Sequence, residues 1–310
     1  MQKSQLTVKP KHICVLLSSY NGAHHLARQI DSILSQTGNY KITIYLRDDG
    51  SKDKTVSIAK KYPQVQLDHT SGPNLGWRAS FHQLLMSAPK ADIYAFSDQD
   101  DIWFENKLQD AIDAIGSTDS PVLWQSQPEI VNPDLKPINY RETFELPKNY
   151  KRALAELHAL GSGMVFNRPL LELYREGVSR GGSQEWQKYT SHDTYMFILA
   201  YFFGKVIFSA QPYYYWIRYN NSTTASSRSE AWLGRLKNLL NKPYTYARHD
   251  RELLSMYNDQ LSAEQRKFLT LIGNYKKGAN RFKILFDRQF NRETIPGKIF
   301  FKLSILLGRY

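Results

Sequence analysis

The sequence predicts an α/β fold: a mostly parallel sheet with flanking helices, followed by a basic, helical C-terminal extension. Two observations carry this. Over the first 120 residues, short apolar runs of strand type alternate with segments of helical period, the order that builds parallel βαβ units with right-handed crossovers. The charge is also unevenly spread. The 310 residues hold 41 Lys and Arg against 29 Asp and Glu, a net charge of +12. Residues 228–310 carry 17 of those cations and seven of the acids, which leaves the first 227 residues nearly neutral. With 42% hydrophobic and 23% charged residues, the chain can bury a full core and is not a disordered tail. A single cysteine, Cys14, excludes a disulfide framework and a cysteine-based zinc site. Met1 to His12 is polar, so no secretory signal is expected, and no run approaches the ~20 apolar residues of a transmembrane helix.

The elements follow in order. Ile13–Leu17 is a buried-strand run ending in Ser18-Ser-Tyr-Asn-Gly22, and Leu26, Ile30, Ile33 and Leu34 then recur at helical spacing. Ile42, Ile44 and Leu46 mark a second strand ending in Asp48-Asp-Gly-Ser51, with a helix near 54–61. Val65–Leu67 is a weak third strand, and Ser80–Met86 reads as a helix with Phe81, Leu84 and Leu85 inward. Ile93–Phe96 is a fourth strand ending in Ser97-Asp-Gln-Asp-Asp101, followed by a helix at about 104–115. Beyond residue 120 the rhythm loosens: a short strand at Val122–Trp124, a proline-rich connection over 130–147, and Gly161–Asn167 leading into a helix opened by Pro169. His192–Phe203 is an apolar helix, Val206–Phe208 a strand, and Tyr213–Ile217 an aromatic strand. The Ser/Thr-rich stretch 222–229 divides a first domain, 1–225, from a helical basic region, 226–310. Within the first domain, about 11–120 forms one half and 121–225 the other.

In an open α/β sheet, ligands bind beyond the carboxyl ends of the strands. Strand ends here would gather Asp48, Asp49, Asp98, Asp100 and Asp101 on one edge. Unrelieved, like charges raise one another's pKa, and a divalent cation with hard oxygen ligands relieves them. Neither a GxGxxG nor a GxxxxGK[ST] loop is present, so a bound diphosphate would rest on metal and basic side chains. The bland reading is that these acids are caps and turns: Asp48-Asp-Gly-Ser51 is a good turn, and Ser51 or Asp53 would cap the next helix. His24 and His25 read as a solvated pair, and Cys14 as a small core residue.

The motifs Ser18-Ser-Tyr-Asn-Gly22, Ile33-Leu-Ser-Gln-Thr37, Asp48-Asp-Gly-Ser-Lys-Asp53, Asn74-Leu-Gly76 and Ser97-Asp-Gln-Asp-Asp101 resemble, in order and spacing, the GT-A glycosyltransferases of family 2. The resemblance covers about 11–221, and Asp98-Gln-Asp-Asp-Ile-Trp103 is most similar to the family's bacterial rhamnosyltransferases. It implies a Rossmann-like GT-A fold and an inverting, metal-dependent sugar transfer. Ser18, Tyr20 and Asn21 would line the nucleotide site with Tyr20 stacking on the base, and Asp49 would accept a pyrimidine N3–H. Arg78 would lie near the phosphates, Asp98 on the ribose or sugar side, and Asp100 would ligate Mg²⁺ or Mn²⁺. Asp193 would be the base that deprotonates the acceptor hydroxyl, with Asp101, Trp103, Gly161, Ser162 and His192 on the acceptor and sugar side. One departure stands out: where the family carries Arg-x-His, Arg218 falls one place late and Tyr219 occupies the histidine position, leaving Arg218 to meet the phosphates.

The implied partners are a nucleoside-diphosphate sugar, dTDP-rhamnose or a UDP-sugar, and a lipid-linked saccharide acceptor. Along residues 298–307, Ile299, Leu303, Leu306 and Leu307 share a helix face flanked by Lys298, Lys302 and Arg309. Such a helix suits an anionic membrane surface and a cytoplasmic protein held at the inner face of the membrane. A second copy of the chain, giving a homodimer, would cover the same stripe. The rivals are a nucleic-acid-binding protein with a basic arm and a non-catalytic scaffold. The acidic edge disfavours nucleic acid, since it would repel phosphate without a metal.

Overall fold

The computed structural model describes residues 10–138, 146–156, 159–181, 190–219 and 246–310. The Ser/Thr-rich break at 222–229 lies outside the described residues. In chain order the elements are β1 (Lys11–Ser19), α1 (Leu26–Leu34), β2 (Tyr40–Asp48), α2 (Thr55–Ala59), β3 (Val65–Leu67), α3 (Trp77–Ser87), β4 (Ile93–Ser97), β5 (Ile102–Trp103) and α4 (Lys107–Ile115). They continue with β6 (Val122–Val131), α5 (Tyr150–Glu156), β7 (Met164–Asn167), α6 (Arg168–Arg180), α7 (His192–Phe203) and β8 (Lys205–Ile217). Four helices close the chain: α8 (Tyr246–Tyr257), α9 (Ala263–Gly273), α10 (Asn280–Phe286) and α11 (Ile295–Leu306).

All eight strands form one sheet in the order β3-β2-β1-β4-β7-β6-β8-β5. The first half is parallel as expected, with β1 between β2 and β4. The sheet is mostly parallel, as expected, and the second half adds antiparallel pairs: β7 runs antiparallel to both β4 and β6, while β6 and β8 are parallel. β7 leaves a 3₁₀ turn, Gly161–Gly163, at the end where β4 finishes, and so runs back along β4. Two further differences follow from β8. The segments 206–208 and 213–217 are one strand, and Ile102–Trp103 pairs with it, so the next helix begins only at Lys107.

Side-chain alternation along β1 sorts the core into two layers. Cys14 and Leu16 point to one face, among Phe81, Leu84, Phe96, Phe166 and α7 residues such as Phe197. Ile13, Val15 and Leu17 point to the other, against Leu26, Ile30 and Ile33 of α1 and Leu108, Ala111 and Ile112 of α4. Both faces are covered, so β1 reads as an unbroken apolar run. The C-terminal helices join the first layer: Leu253, Tyr257, Phe268, Leu269, Phe301 and Ile305 are buried in it. Polar ties fix the join, with Tyr257 donating to the Leu173 carbonyl at 3.2 Å and Gln265 Nε2 to the Phe202 carbonyl at 2.8 Å.

Asn167 shows how a single side chain sets a junction. Its Oδ1 accepts from the Leu170 and Val122 N–H groups at 3.3 and 2.9 Å, and its Nδ2 donates to the Ser120 carbonyl at 2.8 Å. It caps α6 and also holds the start of β6, and it is 4% exposed. Asn167→Ala removes a cap and strands a buried N–H, so we expect a loss of about 3 kcal/mol in urea-induced unfolding. A loss below about 0.5 kcal/mol would contradict the dual role.

Candidate active site

Four carboxylates meet where β4 and α7 end and begin. Asp98, Asp100 and Asp101 follow β4, and Asp193 occupies the first turn of α7. Ser162, in the turn before β7, bridges them: its Oγ donates to Asp98 Oδ2 at 3.0 Å and accepts from the Asp98 N–H at 3.3 Å. The neighbouring Gly161 N–H acts on the Asp193 carboxylate. The turn admits no side chain at Gly163 and is tight at Gly161. A Cβ on Gly161 would stand 3.1 Å from His192 Nε2, and one on Gly163 2.5 Å from the Ser126 carbonyl oxygen.

The crowding shows in the protonation equilibria. Water reaches Asp98 from the cleft, yet the protein around it displaces enough solvent to push its carboxyl up to about 7, with Asp100 adding to the effect. Burial likewise raises Asp100, against the opposing pull of His25 and Arg28. Burial raises Asp101 well above the carboxylate range, reinforced by Asp98 and Asp100. Asp193 is raised by burial and partly restored by hydrogen bonds from Ser191 and from the N–H groups of Thr194 and Gly161. A base poised above the ordinary carboxylate range accepts a hydroxyl proton more readily.

His192 is no base. Its ring stacks on Phe81 at 3.8 Å, meets Phe96 edge-on at 4.4 Å, and has no partner for either nitrogen. Burial holds it neutral, far below its usual pKa, with His82 adding to the effect. It sits at 3% exposure beneath the cleft and shapes the Gly161 wall. Trp103, expected against sugar, is likewise only 2% exposed and lies under Lys107, so it is corrected to a support of the acid cluster. Asp101 and Ser162, at 3% and 5% exposure, are also supports and not contact residues on the surface of the cleft.

Residues expected on the nucleotide side lie at or just past the ends of β1 and β2 and at the start of α3. Tyr20 is 45% exposed, and its backbone is gripped from both sides by Gln99, which accepts the Tyr20 N–H at 3.0 Å and donates to its carbonyl at 3.2 Å. Ser18 Oγ hydrogen-bonds Ser80 Oγ at 2.6 Å. Asn21 adopts φ 47° and its Oδ1 accepts the Lys52 N–H at 2.9 Å, tying the first strand-end loop to the second. Arg78 is exposed at the start of α3, with its guanidinium 4.2 Å from the Trp77 ring centre.

The five-carboxylate edge is corrected. Asp48 is spent on its own turn, accepting from the Gly50 and Ser51 N–H groups at 3.2 and 2.9 Å. Asp49 is 2% exposed and pairs with the fully buried Arg47 at 2.5 Å. It also accepts the Leu75 and Gly76 N–H groups at 2.8 and 2.9 Å. Here it anchors the 74–76 loop, and a base N–H would have to share an oxygen already bonded. Two carboxylates thus serve as turn and clamp, and three remain with Asp193 at the cleft.

His25, expected to be solvated, instead packs on Tyr219 with ring centres 4.9 Å apart. The Tyr219 hydroxyl lies 3.3 Å from His25 Nδ1 and accepts from Arg28 at 3.2 Å. The position aligned with the family histidine therefore closes onto α1 beside Asp100. Arg218 sits over the Trp216 ring at 4.9 Å.

Sequence reasoning missed Arg47, Gln99 and Lys107. Lys107 had a readable signal: with Ala111 and Ile115 it falls on the inward stripe of α4. Among the described residues no cluster of three or more His, Cys, Asp or Glu is placed to hold a metal alone. Asp100, whose side chain makes no hydrogen bond to another of the described residues, fits a cation shared with substrate phosphates, the arrangement Mg²⁺ and Mn²⁺ adopt with one or two carboxylates.

Comparison with known proteins now places the chain. The description "Glycosyl transferase family 2" matches residues 14–174, more than half of the sequence, and the chain belongs to that family. It is similar to the dTDP-rhamnosyl transferase RfbG of Shigella flexneri, 32% identical over 109 residues, covering 32% of this chain and 36% of that protein. It is also similar to the UDP-Glc:alpha-D-GlcNAc-diphosphoundecaprenol beta-1,3-glucosyltransferase WfgD of Escherichia coli, 26% identical over 98 residues, covering 31% of this chain and 38% of that one. The match therefore spans little more than a third of these relatives. The crystal structure of S. aureus TarS 1-349 in complex with UDP-GlcNAc shares the fold, at a TM-score of 0.53 and 15% identity, over 96% of this chain and 93% of that one. The architecture is the GT-A type, a mostly parallel sheet flanked by helices, with C-terminal helices attached.

The Asp98 carboxyl titrates higher folded, about 7, than its ordinary 3.8. It therefore favours folding fully below the lower value, and that contribution is lost as pH rises through the higher one. We expect the melting temperature of metal-free protein to fall between about pH 5 and 8, and Asp98→Asn to flatten the fall. Equal slopes in both proteins would contradict the crowding.

Proposed function

We propose that the chain is a metal-dependent, inverting glycosyltransferase that moves a hexosyl group from a nucleoside-diphosphate sugar to a saccharide acceptor. The observation that carries the reading is the convergence of Asp98, Asp100 and Asp193 on one cleft at the carboxyl end of the sheet, with Tyr20 exposed at its rim. Asp193 takes the acceptor hydroxyl's proton. The freed oxygen attacks the anomeric carbon, the new C–O bond forms as the bond to the diphosphate breaks, and its electron pair leaves with the nucleoside diphosphate. A single displacement inverts that carbon. Asp98 orients the ribose or sugar, Tyr20 stacks on the base, and Arg78 and Arg218 steady the phosphates. A divalent cation at Asp100 would offset the charge on the leaving group. The name of the Shigella relative supports dTDP-L-rhamnose as donor, and that of the E. coli relative supports a UDP-sugar as the alternative and a lipid-linked acceptor.

Asp100→Asn and Asp193→Asn should each lower donor turnover by about 1,000-fold in folded protein. Asp193→Asn should leave nucleotide-sugar affinity within about threefold, since the base acts on the acceptor. Isothermal titration and product release with a panel of nucleotide sugars and Mn²⁺ measure both. Full turnover by either variant sinks the assignment. Preference for a UDP-sugar moves the donor and leaves the reaction class intact.

The reading extends to the inner face of the membrane in bacterial surface polysaccharide synthesis. No helix among the described residues is long and apolar enough to cross a membrane. Along α11, Ile295, Ile299, Leu303 and Leu306 recur at helical spacing and all are exposed, Ile295 to 72%. Phe282 and Phe286 on α10 add to this surface, Phe286 to 75%. Lys298 and Lys302 flank the stripe and α11 holds no acid, which complements an anionic bilayer. The wild type should float with phosphatidylglycerol vesicles and not with phosphatidylcholine vesicles, and the double variant Phe286→Ser, Ile299→Ser should float with neither. A soluble dimer that the same variant dissociates, without flotation, would reassign the surface to a second copy.

A further inference from the structure

The strongest unassigned feature is a lysine amine with no access to solvent, drawn well below its ordinary pKa by burial against the opposing pull of Asp101 and Asp98. Lys107 is 0% exposed, at the first turn of α4. Its Nζ donates to the Ser162 carbonyl, lies 3.5 Å from the Trp103 ring centre and 5.1 Å from that of Tyr214, and has Asp101 and Asp98 as its nearest charges. An ammonium leaves water at a large cost unless hydrogen bonds, rings and carboxylates replace its hydration, and all three are present. A purely structural position on the inward stripe of α4 would be filled by leucine or methionine at no such cost.

The ammonium grips one residue of a three-residue turn, and that turn touches both sides of the chemistry. Ser162 Oγ binds Asp98 through its carboxylate and its N–H, and Gly161 bears on Asp193 and His192. We propose that Lys107 is a positioning residue: by pinning the Gly161–Gly163 turn, it fixes Asp98 and Asp193 relative to each other across the cleft. The inference rests on the glycosyl-transfer reading above. Misplacing a base by about 1 Å costs on the order of 100-fold in rate, while nucleotide binding, which the turn reaches only through Asp98, changes far less.

The test compares Lys107→Met, which keeps the stem over Trp103, with Ser162→Ala, which keeps the backbone bond and removes the link to Asp98. For each, the melting temperature, affinity for dTDP and UDP with Mn²⁺, and kcat and KM for hydrolysis of the preferred nucleotide sugar are measured. We expect kcat to fall about 100-fold for Lys107→Met and about 10-fold for Ser162→Ala, with dTDP and UDP affinity, which Asp98 touches only through the ribose, falling by less than about fivefold. Should Lys107→Met not fold, the Ser162→Ala split decides alone. Wild-type kcat in either folded variant, or loss of diphosphate affinity in step with kcat, overturns the positioning role and leaves the transferase reading standing. A wild type that turns over no nucleotide sugar overturns that reading and this inference with it.

Discussion

Four acidic side chains held within one cleft repel each other, and the architecture around them is arranged to tolerate that repulsion. Asp98, Asp100, Asp101 and Asp193 come from two strand and helix ends that the sheet order brings together. The protein relieves the strain in three ways: it raises the carboxyl pKa values, it buries Lys107 beneath the cluster, and it directs backbone N–H groups at Asp193. None of these cancels the charge fully. What remains is a concentration of negative charge at one end of the sheet, the feature on which the proposed cation at Asp100 rests.

The rest of the fold holds that cleft rigid. Alternation along β1 places one apolar layer under α1 and α4 and another under α3 and α7, so the strand ends that carry the acids are fixed from both faces. The Arg47–Asp49 pair is a second fixed point, binding the loop before α3 to the end of β2. The helices after residue 245 are packed into the same apolar layer as α7, so the region that bears the basic charge also braces the helix that carries Asp193.

The sequence made the first half legible because there periodicity and burial agree. Ile13–Leu17 and Ile93–Phe96 are apolar throughout, and the structure buries them throughout. It also gave the order of motifs that marks the family. Less was legible where long-range pairing overrides local pattern. Nothing local in Met164–Asn167 says that it runs antiparallel, and nothing in Ile102–Trp103 says that β8 will recruit it. Among site residues, Asp98, Asp100 and Asp193 were readable as acids at element ends. Sequence alone could not tell that Asp48 and Asp49 would be consumed by their own turn and loop, because the partners of Asp49, Leu75 and Gly76, lie some 26 residues downstream. Lys107 was overlooked because a charge in a helix is usually solvated, and only its place on the inward stripe argued otherwise.

The grip of Gln99 on Tyr20 has an evolutionary corollary. Because both hydrogen bonds run to the backbone of residue 20, the local chain path does not depend on which side chain that residue carries. The phenol itself projects into solvent. Position 20 is therefore a plug-in site: a descendant could exchange tyrosine for another ring or an amide without disturbing the loop or the carboxylates beside it.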